Sequence, residues 1–372
     1  MKIGIDGRSL TQRKAGIGYY LSEIISRWSY SFPNDNLQIF SNQAIDYPLK
    51  RGIEHHVNYN TFGLPWYVFR SHKNIIQQEP NIFWGAQNLL PRYLPKNLPA
   101  AITIHDCVHL QSLKYSPSLV HNLIHRYCFP KSIQRSFKIM AVSNFVADEI
   151  QKYFDIPHSL IEVIPLGVNP IFLKQGINPQ KVSETRKRYS LDSPYILSVG
   201  TLEPRKNLSI LLHAFSLLPP SLQNKYQLVF VGKKGWRQRQ FTKYLKSYEL
   251  KSQVKILGYV PRQDLAHIYS AAQVLVFPSQ YEGFGLPLLE AMSAGCPVIA
   301  CRTAAVKEVA STAAILLSPL SSAEDWSKSL SQVLESSSLK ENLRMAGYDQ
   351  AQKFSWDNCV RKTTEVLHSI GQ

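Results

Sequence analysis

Residues 278–298 read PSQYEGFGLPLLEAMSAGCPV, directly after the apolar run Val274 to Phe277. A Val-Leu-Val-Phe run is the composition of a buried strand. Gly283, Phe284 and Gly285 predict a turn, and Leu286 to Ala294 an amphipathic helix with Pro287 in its first turn. Gly295 and Pro297 end that helix, and Val298 to Ala300 start another apolar strand. Strand, glycine turn and helix in this order make an anion site, because the first N–H groups of a helix have no intrahelical partner. Two carboxylates, Glu282 in the turn and Glu290 one turn into the helix, flank it. A carboxylate does not bind phosphate, so these two face hydroxyl groups of the same ligand. A sugar nucleotide carries both kinds of group.

The rest of the chain extends the pattern. Strands are expected at Lys2–Asp6, Leu37–Phe40, Ile82–Trp84, Ala101–Ile104, Ile139–Val142 and Ile161–Ile164. A second series runs through Tyr195–Val199, Gln227–Val231, Val254–Leu257 and Val274–Phe277. Helical or loop segments separate them, which predicts an α/β protein with parallel sheets. With 372 residues, two domains of ordinary size are expected. A linker is read between Gly167 and Pro194, rich in Asn, Pro, Lys and Ser.

Charge and cysteine usage narrow the partners. Lys and Arg total 42 against 26 Asp and Glu, a net charge of +16, with the basic excess concentrated between Lys174 and Arg262. A phosphorylated small molecule and an anionic membrane surface both fit that excess. Nucleic acid is the weakest of the specific partners, since no zinc-finger, helix-turn-helix or RNP-like pattern accompanies the charge, and a solvated basic face is the bland alternative. Five scattered cysteines, Cys107, Cys128, Cys296, Cys301 and Cys359, show no metal spacing and suit a reducing compartment. The start MKIGIDGRSL reads as a strand and not as a signal peptide. A cytoplasmic protein, peripheral at the inner face of the membrane, is expected. The basic, apolar segment from Lys114 to Lys138 reads either as a membrane-resting face or as an ordinary packing helix.

Several further residues lie where ligands bind. Gly16, Ile17 and Gly18 precede a helical pattern from Tyr19 to Trp28, a glycine loop without the third glycine of a dinucleotide fingerprint. His105 and Asp106 follow a strand directly, the edge at which open α/β sheets contact ligands. His105 is read either as a hydrogen-bond donor to a sugar hydroxyl or phosphate, or as a structural histidine. Zinc on His105, Asp106 and His109 is set aside for want of a further ligand cluster. Ser143 and Asn144 either border a cleft or cap a helix. Arg205 and Lys206 stand just before a predicted helix from Leu208 to Leu218 and make a second anion site suited to a diphosphate. Tyr259 and Val260 end a strand, where they either support a nucleobase or pack against the following helix. The run VGKKGW lacks the GxxxxGK[ST] order of a P-loop, which excludes that ATPase class.

The runs VGTLEPRKNL, LGYVP and FPSQYEGFGLPLLEAMSAGCPVIA together resemble the C-terminal domain of the family 4 retaining glycosyltransferases of GT-B fold, with Glu282 and Glu290 matching that family's E-x7-E motif. GIGYY, IHD, AVSN, VIPLGVN and the ending KFSWDNCVRKTTEVL are similar to further family segments, so the likeness covers nearly the whole chain. The resemblance implies two Rossmann-like domains facing a cleft. An acceptor-binding domain would span 1–172, a nucleotide-sugar domain 173–354, and a C-terminal helix, 355–372, would cross back to the first. It implies that Glu282 holds hydroxyls of the transferred sugar, with the backbone of Phe284, Gly285 and Leu286 beside sugar and diphosphate, and that Glu290 holds the ribose. Arg205 and Lys206 would hold the diphosphate, Gly16 to Gly18 would close over it, and His105 would contact the donor sugar. Many relatives carry arginine where Thr201 stands here, which shifts charge onto Arg205 and Lys206.

The expected reaction is therefore retaining transfer of a hexose from a nucleotide-diphosphate sugar, UDP-glucose or GDP-mannose, to a glycan or lipid-linked acceptor. No Asp-x-Asp occurs in the sequence, and neither metal nor another cofactor is expected. A glycoside hydrolase using Glu282 and Glu290, an epimerase of the same fold and a non-catalytic sugar-nucleotide sensor are the alternatives.

Overall fold

The computed structural model describes residues 1–371 apart from 12–15, 46, 49–51, 60–62, 112–114, 116–117, 238 and 249. The chain divides into two compact units, Met1–Gly167 joined by Ser355–Gln372, and Val168–Phe354. The division falls at Gly167/Val168, where the reading of the sequence had put 172/173.

The first unit holds strands β1 (Lys2–Asp6), β2 (Asn36–Ser41), β3 (Ile53–Val57), β4 (Ile82–Gly85), β5 (Ala100–Ile104), β6 (Lys138–Ala141) and β7 (Ile161–Val163). They form one parallel sheet in the order β3-β2-β1-β4-β5-β6-β7. β4 and β5 are buried along their whole length, as strands covered on both faces must be. The final helix, Trp356–Gly371, packs within this unit. Trp356, Cys359, Val360 and Leu367 are buried, Asp357 accepts from Arg27 Nε at 3.0 Å, and His368 Nε2 meets Asp35 Oδ2 at 2.8 Å.

The second unit holds β8 (Tyr195–Val199), β9 (Gln227–Val231), β10 (Val254–Gly258), β11 (Val274–Phe277), β12 (Val298–Cys301) and β13 (Ile315–Leu317), parallel in the order β10-β9-β8-β11-β12-β13. Its core is continuous from Leu211, Leu212 and Phe215 through Phe230 and Val276 to Trp326 and Leu330. In both sheets the strand order reverses at the centre, between β1 and β4 and between β8 and β11. Such a reversal leaves a crevice at the carboxyl ends of the two central strands, where open α/β sheets bind ligands.

Three expectations are corrected. β3 and β13 are strands that had not been read, because both are edge strands with partly exposed residues and β3 carries Glu54, His55 and His56. The linker contains a helix, Pro179–Arg188, whose one buried residue is Thr185. Asn178 caps it, Thr185 Oγ1 meets His267 Nδ1 at 2.8 Å, and Arg188 forms a two-pronged pair with Asp264. Polar contacts to the helix Arg262–Ala271 hold this segment, so it leaves no apolar periodicity. The glycine loop is also shorter than read. The helix runs Ile17–Ser31, with Ile17 and Gly18 in its first turn and Gly16 alone, at φ +35°, before it.

Candidate active site

The second unit's crevice lies between the loops that follow β8 and β11. After β8, residues Pro204–Lys206 make one 3-10 turn, and Asn207, at φ +50°, redirects the chain into the helix Leu208–Ser216. After β11, Pro278 to Gly285 lead into the helix Leu286–Ser293. Gly285 precedes it at φ +117°, a conformation that glycine adopts without Cβ strain. The two loops are fastened by backbone: Gln280 N donates to Arg205 O at 2.9 Å.

Glu282 is the centre of this junction. Its Oε1 accepts from Lys206 Nζ and from Ser279 Oγ, each at 2.5 Å, and its Oε2 accepts from Arg205 Nη1 at 2.7 Å. Arg205 also donates from Nε to Glu203 Oε1 at 2.9 Å and from Nη1 to Tyr281 O at 2.8 Å. Glu282 and Lys206 are 7% and 8% exposed. Burial alone would raise the Glu282 pKa, but the Arg205 and Lys206 charges and the Lys206 and Ser279 hydrogen bonds outweigh it and bring it down to about 2. Burial lowers the Lys206 pKa, and the attraction of Glu282 opposes that fall. Glu282 is therefore ionised at neutral pH. Gly200, at φ +148°, lies so close that a Cβ there would stand 3.2 Å from Lys206 Cε.

This geometry sorts the two cations. Arg205 has its fork divided between Glu203 and Glu282, a scaffolding position. Among the described residues, Lys206 Nζ directs one of its three protons to Glu282 and lies over the Phe277 ring at 4.9 Å. Two acids balance two bases, so what the junction can offer an anion is orientation: Lys206 and the amino end of the helix Leu286–Ser293. Glu282, read as a sugar-hydroxyl ligand, is in this structure the anchor of both cations. Ser279 and Glu203, which complete the arrangement, were not singled out in the sequence. Their only signal was their placement in the same two loops.

Glu290 is 8% exposed and sits on the inner side of its helix. Its Oε2 accepts from Tyr269 OH at 3.2 Å, and its Oε1 lies 3.8 Å from Arg262 Nη2. Arg262 and Tyr269 belong to the helix Arg262–Ala271, which follows Tyr259 and Val260. Val260 is buried and Tyr259 half-buried. Phe284 is buried edge-on against Phe354, 5.8 Å between ring centres. Thr201 lies half-buried in the loop after β8, and its N stands 3.2 Å from where a Cβ on Gly232 would be. The structure thus gathers Thr201, Arg205, Lys206, Tyr259, Val260, Glu282, Phe284, Gly285, Leu286 and Glu290 on loops and helix starts of one unit.

His105 and Gly16 to Gly18 belong to the first unit. His105 is buried, with its ring edge-on to Tyr20 from the helix Ile17–Ser31, 4.7 Å between centres. Its Nε2 meets the Ala86 carbonyl at 2.9 Å, and a carbonyl only accepts, so Nε2 carries the proton. Burial pushes the imidazole pKa down, against the Ala86 hydrogen bond, which keeps the ring neutral. Of the two readings of His105, donor to a ligand or structural histidine, the bond to Ala86 fits the structural one: the N–H is engaged there, and Nδ1 is an acceptor. Ser143 takes the capping role, accepting from Val146 N at 3.2 Å at the start of the helix Asn144–Phe154.

Comparison with known proteins adds a second line. Residues 181–350 match the family model described as glycosyl transferases group 1, and residues 33–171 match that described as glycosyltransferase family 4. The chain is 32% identical over 303 residues to O-antigen chain mannosyltransferase B of Escherichia coli, covering 80% of this chain and 75% of that protein. It is 31% identical over 234 residues to the serotype-specific mannosyltransferase WbdA of Escherichia coli, 62% of this chain but 29% of that longer protein. Among solved structures, WaaG, a glycosyltransferase involved in lipopolysaccharide biosynthesis, superposes with a TM-score of 0.80 over 99% of both chains at 16% identity, a likeness of fold.

Proposed function

Since this chain belongs to the family 4 glycosyltransferases of GT-B fold that build bacterial polysaccharide, we propose that it transfers mannose from GDP-mannose to a growing or lipid-linked glycan. The choice of mannose over glucose is supported by the relatives at 31–32% identity, which are mannosyltransferases. The observation that carries a donor site is the junction of Arg205, Lys206, Ser279 and Glu282 at the centre of the second sheet.

In this reading Lys206 Nζ and the amino end of the helix Leu286–Ser293 meet the diphosphate. Glu282, fixed by Arg205 and Ser279, holds Lys206 in place and presents its remaining lone pair to the sugar. Glu290 takes the ribose, and Tyr259 and Val260 support the base. As the bond from the anomeric carbon to the phosphate oxygen breaks, positive charge grows on the sugar and negative charge on the departing diphosphate. Donors already oriented at that oxygen lower the barrier, by an amount on the order of 3–4 kcal/mol for one such donor. The acceptor hydroxyl forms the new bond on the same face and gives its proton to the leaving phosphate oxygen, which retains the anomeric configuration. No metal takes part at the diphosphate.

The decisive measurement offers the purified chain GDP-mannose and UDP-glucose with a lipid-linked mannosyl acceptor. Product from GDP-mannose with an α-anomeric proton signal, at a rate unchanged by Mg²⁺ or Mn²⁺, is expected. Transfer from UDP-glucose alone would remove the donor assignment, and a β-anomer would remove retention.

Among the described residues no helix is long and apolar enough to cross a membrane. Peripheral contact is the reading we favour for the helix Leu119–Arg135. It exposes Leu119, Val120, Leu123 and Tyr127, with Lys131 Nζ 3.7 Å from the Tyr127 ring centre. An apolar stripe with cations beside it suits an anionic bilayer. Residues 114, 116 and 117 of the segment first read this way lie outside the described residues.

A further inference from the structure

The same helix has a second face. His121 and His125, one turn apart on Leu119–Arg135, meet His109 from the short helix Val108–Gln111, just past the carboxyl end of β5. The three side chains place one ring nitrogen each within 4.8 Å of the others. His109 and His125 are stacked at 3.7 Å between ring centres, and His121 and His125 lie at 4.4 Å. His125 is 6% exposed and the other two are half-buried.

Among the described residues the cluster is not satisfied. Buried ring nitrogens His109 Nε2, His121 Nδ1 and His125 Nδ1 find no hydrogen-bond partner among the described residues. A buried polar atom without a partner costs about 1–3 kcal/mol, and three of them in one cluster call for a common ligand. Neutral imidazoles crowded this way offer lone pairs, the form in which histidine binds metal. Burial holds all three pKa values down, that of His121 at about 4. Arg8 is the nearby cation, but its guanidinium is bound in a fork to Asp6, at 2.9 and 2.8 Å. Asp106 acts on His109 as a negative charge.

We propose that His109, His121 and His125 form a binding site for one divalent transition-metal ion of the zinc class. Three imidazoles and no carboxylate in the set select zinc or its d-block neighbours over magnesium, calcium or manganese. With Zn–N bonds of about 2.0–2.1 Å, the ligand nitrogens would stand about 3.3 Å apart in a tetrahedron, a closing motion that ring rotation supplies. Three protein ligands leave a fourth position for water or for an oxygen of a bound molecule. The ion would fasten the helix Val108–Gln111 to Leu119–Arg135 at the carboxyl edge of the first sheet. The set differs from the sequence-adjacent trio His105, Asp106 and His109. In the fold His105 is bound to Ala86, and His109 instead meets an H-x3-H pair that one helical turn brings to one face.

The test does not depend on glycosyl transfer. Tag-free protein, stripped with a chelator, is titrated with Zn²⁺ by calorimetry, and with Co²⁺ while its visible absorption is followed. One ion per chain and a Co²⁺ spectrum of a four- or five-coordinate nitrogen site are expected. His125→Gln and His121→Gln should each weaken Zn²⁺ binding by more than about tenfold, while His158→Gln, elsewhere in the unit, should leave it unchanged. His121→Gln carries the test if the more deeply buried His125→Gln fails to fold, which circular dichroism reports. No saturable binding in the unaltered chain, or undiminished affinity in His121→Gln, would overturn the site and show that the orphaned nitrogens are met by buried water.

Discussion

Lys206 and Glu282 are a buried pair whose two halves do different things, and single substitutions separate them. Lys206→Ala removes the oriented cation, so kcat should fall by about 10²–10³-fold with a smaller change in KM. Steady-state kinetics on folded protein measure this, and a near-normal kcat would take Lys206 out of the mechanism. Glu282→Gln acts first on stability, because it leaves the buried Lys206 and the half-buried Arg205 facing one fewer carboxylate. The pH dependence follows from the sign of the shift. A carboxyl held at about 2 in the folded chain, against 4.5 ordinarily, contributes stability that is fully present above about pH 4.5 and is lost as pH falls through 2. The contribution is at most about 3 kcal/mol. Urea midpoints from pH 6 to pH 2 should therefore drop less steeply in Glu282→Gln than in the unaltered chain, and parallel curves would contradict the ion-pair account.

At the level of elements, the helix Leu119–Arg135 combines an exposed apolar stripe on one side with His121 and His125 on another. Leu123, 65% exposed, is central to the stripe. Leu123→Glu should abolish co-sedimentation with phosphatidylglycerol vesicles while leaving the melting temperature within a few degrees, since the side chain packs against little. Equal retention of the variant on vesicles would remove this face as the contact. The helix Pro179–Arg188 teaches a complementary point. Polar all round, it was read as linker, yet Asn178, Thr185 and Arg188 each find a specific partner. Hydrophobic periodicity signals elements held by apolar burial, and an element held by capping and side-chain hydrogen bonds carries no such signal.

Across the whole molecule, the chain re-enters its first unit after leaving it for 168–354. Gly167 marks the junction: a Cβ there would stand 2.1 Å from the backbone N of Trp356. Burial of Trp356, Val360 and Leu367 stabilises the first unit by an amount on the order of 5 kcal/mol, comparable with the net stability of a domain. A chain ending at Phe354 should consequently lose the thermal transition of the first unit and keep that of the second, which has its own core around Trp326. Two calorimetric transitions in the shortened chain would show the last helix to be dispensable.

Much of this was legible without a structure, for a definite reason. Buried parallel strands are continuous apolar runs, and glycine turns opening into helices carry their own punctuation, so the α/β class and the loops bearing Arg205, Lys206, Glu282 and Glu290 followed from local pattern. What required tertiary structure was everything set by packing across the sheet. β8 and β11 are far apart in sequence, and only their pairing brings Lys206 onto Glu282 and makes that carboxylate an anchor of cations. Only the fold gives the His105 N–H to Ala86, and only the fold sets His109 beside His121 and His125. Spacing along a chain fixes which residues share an element, while the partner of a buried charge or lone pair is decided by whichever element lands opposite.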